Sequence, residues 1–354
     1  MKKQSFLKGT AIVVLIIAAV GCQEERLQLE SDTANFGDVN PFPGGGGDVI
    51  GIPPGITSFS PTMGFSGTTV TIIGGDFDPT PAYNIVKFDG VQAQVTSATP
   101  AKLTVVVPPG ATSGKISVAV SGLLGTSSSD FQVIDIPLNG LVAFYPFDGN
   151  ANDITSVPSN GTVSGAALLI SDRNGRSNNA YSFANGGSIT MGNPAELQIT
   201  GQITLSAWLY TQAGSTGAPI SKDIRVTNKS GTRCDGYSLV QTYLNNGNHI
   251  IGMMSNNSAQ NYYGNAMSVT LNSWQLFTIT ISGNTVRYYQ NGVFVRTFDN
   301  GQPVLATITG YFKINGYSCS GFNEYKGFID DVAVYNRALT DAEVTKLYQQ
   351  PVLP

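Results

Sequence analysis

From about residue 56 to residue 335, apolar positions along this chain recur every second residue in short runs. In Thr69-Val70-Thr71-Ile72-Ile73, Val70 and Ile72 share one face, and Thr69, Thr71 and Ile73 the other. Lys102 to Val107 and Lys115 to Val120 repeat the scheme. A period of two belongs to a strand with one buried face. Turn formers separate the runs: Gly74-Gly75, Asp89-Gly90 and Pro108-Pro109-Gly110. Short strands punctuated in this way predict a small β-sandwich. Further runs span Gly140 to Tyr145, Ile203 to Leu209 and Leu276 to Ile281. Val286 to Gln290 and Val293 to Val295 flank Asn291-Gly292, the strongest short-range hairpin signal. One helix is predicted, from Ala342 to Tyr348. Thr340 and Glu343 are spaced as a capping box, Leu339 and Val344 as a hydrophobic staple, and Pro351 lies beyond its end. The fold class is therefore all-β with one short C-terminal helix.

The first residues depart from this pattern. Lys2, Lys3 and Lys8 precede an uncharged apolar run from Ala11 to Val20, then Gly21 and Cys22. That is the order of a secretory signal, and the run is too short for a membrane span, which needs about 20 residues. The stretch Leu15 to Cys22 resembles a bacterial lipobox. The resemblance implies that residues 1–21 are a lipoprotein signal peptide, that Cys22 is lipidated on sulfur, and that the mature chain is lipid-anchored. The alternative is an ordinary signal peptide with a chance cysteine. Gln23-Glu24-Glu25 resembles the acidic export signal that sends some Gram-negative lipoproteins to the outer face of the outer membrane, which implies display towards the cell exterior. A solvated acidic linker is the alternative there. Residues 22–52, with Gly44 to Gly47, Pro41 and Pro43, read as a flexible tether spanning on the order of 30 Å.

The chain has 354 residues, which predicts two or more domains. Its net charge of −4 becomes −7 once a signal carrying three lysines and no acid is removed, and an acidic chain has no electrostatic footprint for nucleic acid. Charged residues make up 12% and apolar ones 41%, too apolar for a disordered chain and typical of an extracellular β-protein. With Cys22 lipidated, Cys234 and Cys319 remain, in a compartment where disulfides persist. Pairing them would close a loop of about 85 residues and stabilise by about 4 kcal/mol in the entropic account. Two separate buried thiols are the alternative.

Two resemblances then assign the domains. Ile56 to Pro61, Gly67-Thr68, Val70 to Ile72, Gly74-Gly75, Phe77, Val107-Pro108 and Phe131 to Val133 resemble an immunoglobulin-like IPT/TIG domain over residues 53–134. In secreted bacterial proteins that family serves as a spacer or recognition module. The basic loops that its DNA-binding members use are absent. Gly140 to Asp153, Ala180 to Phe183, Ile203 to Trp208, Gly236 to Leu239, Trp274 and the closing Gly327 to Leu339 resemble the laminin-G-like, concanavalin A-like jelly rolls of bacterial surface proteins, over residues 136–351. The expected architecture is a small immunoglobulin-like sandwich followed by a larger jelly-roll sandwich. The short junction Ile134 to Pro137 predicts limited hinge freedom.

Asp148, Asn150 and Asp153 offer oxygen ligands in one loop, and alternation places Asp330 on the face shared by Phe328, Val332 and Val334, pointing inward. A buried carboxylate needs a cation, an arginine or several N–H donors. The jelly-roll resemblance implies a structural Ca²⁺ held by these four residues. The alternative is Asx-turn capping by the loop and hydrogen bonding by Asp330, with Arg337 as one partner. The chain departs from the family after Asp153: relatives commonly continue Ser-Ser-Gly-Asn, where this chain has Ile154-Thr155-Ser156-Val157-Pro158. A glycoside hydrolase of this fold needs paired carboxylates. In residues 136–354 Glu occurs only at 196, 324 and 343, no Glu-x-Asp pair exists, and Asp330-Asp331 face opposite sides of a strand. His249 is the chain's one histidine and reads as an ordinary strand residue. No catalytic residue is assigned, and the chain reads as a non-enzyme.

Sugars are bound by aromatic faces with amides and carboxylates. Tyr243, the Asn-rich loop carrying Tyr262 and Tyr263, and Tyr317 and Phe322 beside Cys319 supply that chemistry; loop decoration without a ligand is the alternative. Trp208 and Trp274 interrupt apolar runs and read as core. The expected function is that of a non-enzymatic surface lipoprotein binding polysaccharide or another glycan through the jelly roll, with the IPT-like domain as stalk. Outer-membrane uptake-system proteins are the implied partners. An adhesin for protein or matrix, and an unrecognised hydrolase, are the alternatives.

Overall fold

The computed structural model describes residues 51–228, 231–243, 249–256, 267–299, 309–316 and 325–350, with side chains left undescribed at 224–228, 231–235, 241–243 and 249–256. The smaller sandwich contains Gly55–Ser60 (β1), Met63–Gly64 (β2), Thr69–Gly75 (β3), Asn84–Phe88 (β4), Val91–Thr99 (β5), Lys102–Val106 (β6), Gly114–Val120 (β7) and Leu123–Val133 (β8). Their hydrogen-bonded order is β1-β3-β6-β5-β4-β7-β8-β2. β5 makes the corner: Val91 to Ala93 pair with β4, and Gln94 to Thr99 pair with β6 across a register shift. The alternation in the sequence is what fills the centre. Val70, Ile72, Leu103 and Val105 meet Val86, Phe88, Ile116 and Val118, all shielded from solvent, and Phe88 packs edge-on to Phe131 at 5.0 Å.

The larger sandwich contains Leu141–Tyr145 (β9), Thr162–Ser164 (β10), Leu168–Ile170 (β11), Ala180–Ser182 (β12), Ser188–Gly192 (β13), Gln202–Thr211 (β14), Gly217–Asn228 (β15) and Gly231–Tyr243 (β16). It continues with His249–Asn256 (β17), Met267–Ser268 (β18), Trp274–Ser282 (β19), Thr285–Gln290 (β20), Val293–Asp299 (β21), Tyr311–Ile314 (β22) and Gly327–Tyr335 (β23). One sheet runs β10-β13-β22-β15-β16-β17-β18 and the other β11-β12-β23-β14-β19-β20-β21, with β9 also paired to β23. The β20–β21 hairpin turns on Asn291 and Gly292, both with positive φ, as the Asn-Gly pair predicts. Between the sheets lie Tyr145, Phe183, Leu205, Leu209, Ile220, Leu239, Phe277, Ile279, Phe312 and Ile314. Each fully buried aliphatic or Phe side chain there contributes about 1.5–3 kcal/mol.

β23 and β19 are buried on both faces, so this sheet needs a second cover. Helix α1 (Asp341–Tyr348) supplies part of it through Val344 and Leu347. Its capping box is formed, with Thr340 accepting from the Glu343 N–H and Glu343 accepting from the Thr340 N–H. Arg337, hydrogen-bonded to Glu343, holds that carboxyl down at about 2. Leu339 and Val344, the expected staple pair, sit in the same apolar layer. The smaller sandwich supplies the rest. Met63, Phe65, Ile134 and Ile136 pack in one cluster with Phe144, Leu276, Tyr289, Ala333 and Tyr335. Polar bonds rim the contact: Arg176 donates to Gln132 Oε1 at 2.7 Å, and Lys346 pairs with Asp135 at 2.7 Å. The two sandwiches share one core layer, and the junction residues Ile134 and Ile136 are inside it.

Phe65 touches Phe144 edge-on at 5.9 Å and belongs to this layer instead of the smaller sandwich's own core. Phe65→Ala should cost about 3 kcal/mol, expressed as loss of docking. Calorimetry of the variant should resolve two unfolding transitions where the parent shows one; a single transition would contradict the shared layer.

Candidate functional site

The sheet built on β15, β16 and β22 has one face in the inter-sheet core and one turned away from it. Ile220, Tyr237, Leu239, Phe312 and Ile314 point in. By alternation Ser221, Asp223, Ser238, Tyr311 and Lys313 point out. Register gathers them: Ser221 lies opposite Ser238 on one side and Lys313 on the other, and Asp223 lies opposite Tyr311. Thr190 extends the row beyond Lys313. Ser221, Ser238 and Asp223 are buried, Lys313 and Thr190 are half-buried, and the Tyr311 ring is 58% exposed. The Ser221 hydroxyl donates to the Gly316 carbonyl at 2.5 Å. An exposed aromatic ring, a carboxylate, an ammonium and hydroxyls thus share one rigid face.

Lys222 points the other way. The alternation of Ile220 and Lys222 puts its ammonium on the core side, fully buried, donating to Asn193 Oδ1 at 2.5 Å and the Gly310 carbonyl at 2.8 Å. Burial pushes its pKa down to about 8.

The sequence-expected sugar contacts attach to this sheet. Tyr243 ends β16, though its side chain is not described. Tyr262, Tyr263, Tyr317 and Phe322 lie outside the described residues, in the connections that follow β17 and β22. Cys22 and Cys319 also lie outside them. Cys234 is placed by backbone alone, opposite Arg225 in the β15–β16 ladder.

The four expected calcium ligands have other partners. Asp153 is buried; its Oδ1 accepts the N–H groups of Phe144 (3.1 Å) and Thr155 (3.0 Å), and its Oδ2 that of Ser159 (2.8 Å). Asn150 bonds within the loop, to the Asp148 carbonyl and the Asn152 N–H. Asp330 takes Arg173 at 2.5 Å and the Asp331 N–H at 2.8 Å. Arg337, the expected partner, pairs with Glu343 instead. These residues do not fit a cation as one set, because protein donors already take up the oxygens of Asp153 and Asp330. No group of three His, Cys, Asp or Glu among the described residues could hold a metal.

Two orientation readings need correction. The strand alternation is broken at Asp331, which has φ 44° and sits in a register shift where two β23 residues oppose one on β14. Val332 and Val334 therefore face the inter-sheet core, while Asp330 faces outward beside Trp208. Burial, with Asp331 beside it, pushes the Asp330 carboxyl well above the usual range, and Arg173 opposes that shift. Trp208 and Trp274 are half-buried on that outer face, not in the inter-sheet core. Arg173 lies over the Trp208 ring at 4.6 Å, and Tyr348 stacks on it at 5.5 Å. Trp274 meets Tyr210 edge-on at 5.8 Å.

Comparison with known proteins agrees with this architecture. Residues 54–133 match the IPT/TIG domain, and residues 183–345 match the concanavalin A-like lectin/glucanases superfamily (Laminin_G_3). The chain therefore contains an IPT/TIG domain followed by a concanavalin A-like domain. The concanavalin A-like sandwich begins before the matched region, because β9 pairs with β23. No curated protein matches the chain. Among solved structures it is similar to domain 4 of AbnA, a GH43 extracellular arabinanase from Geobacillus stearothermophilus solved with arabinotriose. There the identity is 20% and the TM-score 0.46, covering 59% of this chain and 98% of that one. A sialidase from Trypanosoma rangeli is 17% identical with a TM-score of 0.43, covering 60% of this chain and 33% of that one. A pentraxin from Limulus polyphemus is 19% identical with a TM-score of 0.33, covering 43% and 73% respectively.

Sequence inspection passed over Tyr311, Asp223 and Lys222. The signal was there: Tyr311-Phe312-Lys313-Ile314 and Ile220-Ser221-Lys222-Asp223 both alternate, so opposite faces were assignable once Phe312 and Ile220 were recognised as core.

The depressed pKa of Lys222 has a sign. Between about pH 8 and the ordinary lysine value near 10.4 the unfolded chain binds the proton and the folded chain does not, so stability should rise with pH there. Urea unfolding from pH 7.5 to 9.5 should show that rise, and Lys222→Met should flatten it. An identical slope in the variant would refute the assignment.

Proposed function

We propose that this protein is a non-enzymatic, lipid-anchored protein of the outer membrane, facing the cell exterior, whose concanavalin A-like domain binds carbohydrate. The observation that carries the reading is the outward row of Tyr311, Asp223, Lys313 and Ser221 on a lectin/glucanase-type sheet. The exposed Tyr311 ring can lie against a sugar's C–H face, with the half-buried Lys313 ammonium beside it. The reading of a binder over a hydrolase is supported by the carboxylates: among the described residues of this face Asp223 is the one acid, and glycoside hydrolysis uses two. The loops carrying Tyr243, Tyr262, Tyr263, Tyr317 and Phe322 would complete the site. Cys234–Cys319 would brace the last of them, and outer-membrane uptake-system proteins would receive the glycan.

Affinity electrophoresis of the chain through gels cast with soluble xylan, arabinan, starch, laminarin and mucin tests this. At least one should retard it, with less retardation for Tyr311→Ala. No retardation by any glycan would overturn the reading, and release of reducing sugar would overturn its non-enzymatic part. Radiolabelled palmitate should enter the protein in cells and be lost with Cys22→Ala; label retained in that variant would contradict lipidation there.

A further inference from the structure

The segment by which this chain departs from its relatives, Ile154 to Pro158, has a structural role. Its first three residues, Ile154 to Ser156, line one wall of a cleft between the two sandwiches. One pocket of about 540 Å³ is lined by Ser60, Pro61, Thr62 and Met63 on one side and by Pro146, Asp148, Asn150 and Asn152 on the other. A second, of about 520 Å³, continues from it between the Phe65 to Thr69 turn and Leu141, Thr155 and Ser156. Thr68 and Ile154 line both, so the two make one continuous groove.

Both walls are held in place. Buried Asp153 pins the 153–159 segment by taking the N–H groups of Phe144, Thr155 and Ser159, and the Ile154 N–H donates to the Phe144 carbonyl at 3.1 Å. Asp153 is thus a positioning residue for the wall. Opposite, the turn at Gly67 (φ 93°) is closed by Thr68 N–H to Phe65 O at 3.0 Å and by Gly67 N–H to Val107 O at 2.9 Å. Beneath the groove, the shared apolar layer joins Met63 and Phe65 to Phe144. A groove preformed in this way spends little of its binding energy on ordering, and domain interfaces are favoured places for ligand sites.

The lining chemistry selects a ligand. Among the described lining residues there is no Lys, Arg or His, so an anion finds no partner. Asp148 is the one acid, which is too few for a cation site. What the groove offers is hydroxyls from Ser60, Thr62 and Thr68, the exposed amides of Asn150 and Asn152, and one carboxylate. The only described side-chain bond to the Asp148 carboxylate is a long one, from the Thr62 hydroxyl at 3.4 Å. Pro61, Pro146 and Ile154 add apolar patches between these polar groups. We infer that the groove binds a neutral oligosaccharide segment, its hydroxyls taken by Asp148, Asn152 and Thr62 and its C–H faces by Pro61 and Ile154. The inference rests on the carbohydrate reading and deepens it: the IPT/TIG domain becomes half of a second sugar subsite, on the sheet opposite Tyr311.

The full chain, Asp148→Ala/Asn152→Ala and Ser156→Arg should be compared in gels cast with each of the same polysaccharides. The double variant removes two polar contacts at half-buried and exposed positions, and Ser156→Arg fills the groove from an exposed position without touching them. Each should weaken retardation at least about tenfold, the loss expected for a charge-assisted hydrogen bond. Full retardation of a folded Ser156→Arg chain, or of the folded double variant, overturns the groove while leaving the carbohydrate reading intact, since Tyr311→Ala would still reduce retardation. Absence of retardation for the unmodified chain overturns both.

Discussion

A sheet buried on both faces must be covered twice, and the rest of this structure follows from that requirement. The strands Trp274–Ser282 and Gly327–Tyr335 are shielded on both sides. On one side the opposing sheet covers Leu205, Phe277 and Val334. On the other, a single eight-residue helix is too short to cover Phe144, Leu276, Tyr289 and Tyr335, and the IPT/TIG domain completes the cover with Met63, Phe65, Ile134 and Ile136. Exposed apolar surface of that extent would be unfavourable at about 25 cal/mol per Å². The two sandwiches are therefore one folded unit.

Much of this was legible because alternation reports burial directly. In the smaller sandwich β3, β6 and β7 obeyed it, with Val70, Ile72, Leu103, Val105, Ile116 and Val118 inside. The Asn291-Gly292 turn and the Thr340–Glu343 capping box are local chemistry, and both formed. Alternation failed where one extra residue entered a strand. The bulge at Asp331 put Asp330 and Val332 on opposite faces where alternation had them share one, and nothing in the local sequence marks it beyond two adjacent acids. Trp208 and Trp274 were misplaced for a related reason. A periodic pattern shows that a position is covered, but not which of two covers it meets. Arg173, 157 residues from Asp330 along the chain, could not be paired with it by any local rule.

The site chemistry was less legible than the fold. Asp153 looked like a metal ligand because an acid in an Asn-rich loop has the right atoms, whereas three backbone N–H groups claim its oxygens. The departure after Asp153 looked like an interruption of a site, and its first three residues, Ile154 to Ser156, instead line the interdomain groove. Lys222 shows the converse: a charge that reads as surface lies in the core, satisfied by an amide and a carbonyl.

On the proposal made above, sugar meets this molecule at a preformed groove as well as on the outer sheet face. Hydrogen–deuterium exchange of the full chain, with and without a polysaccharide that retards it, addresses that claim most directly. Exchange should slow over residues 61–69 and 148–156 as well as around residue 311. Unchanged exchange across both groove walls, with protection elsewhere, would contradict it.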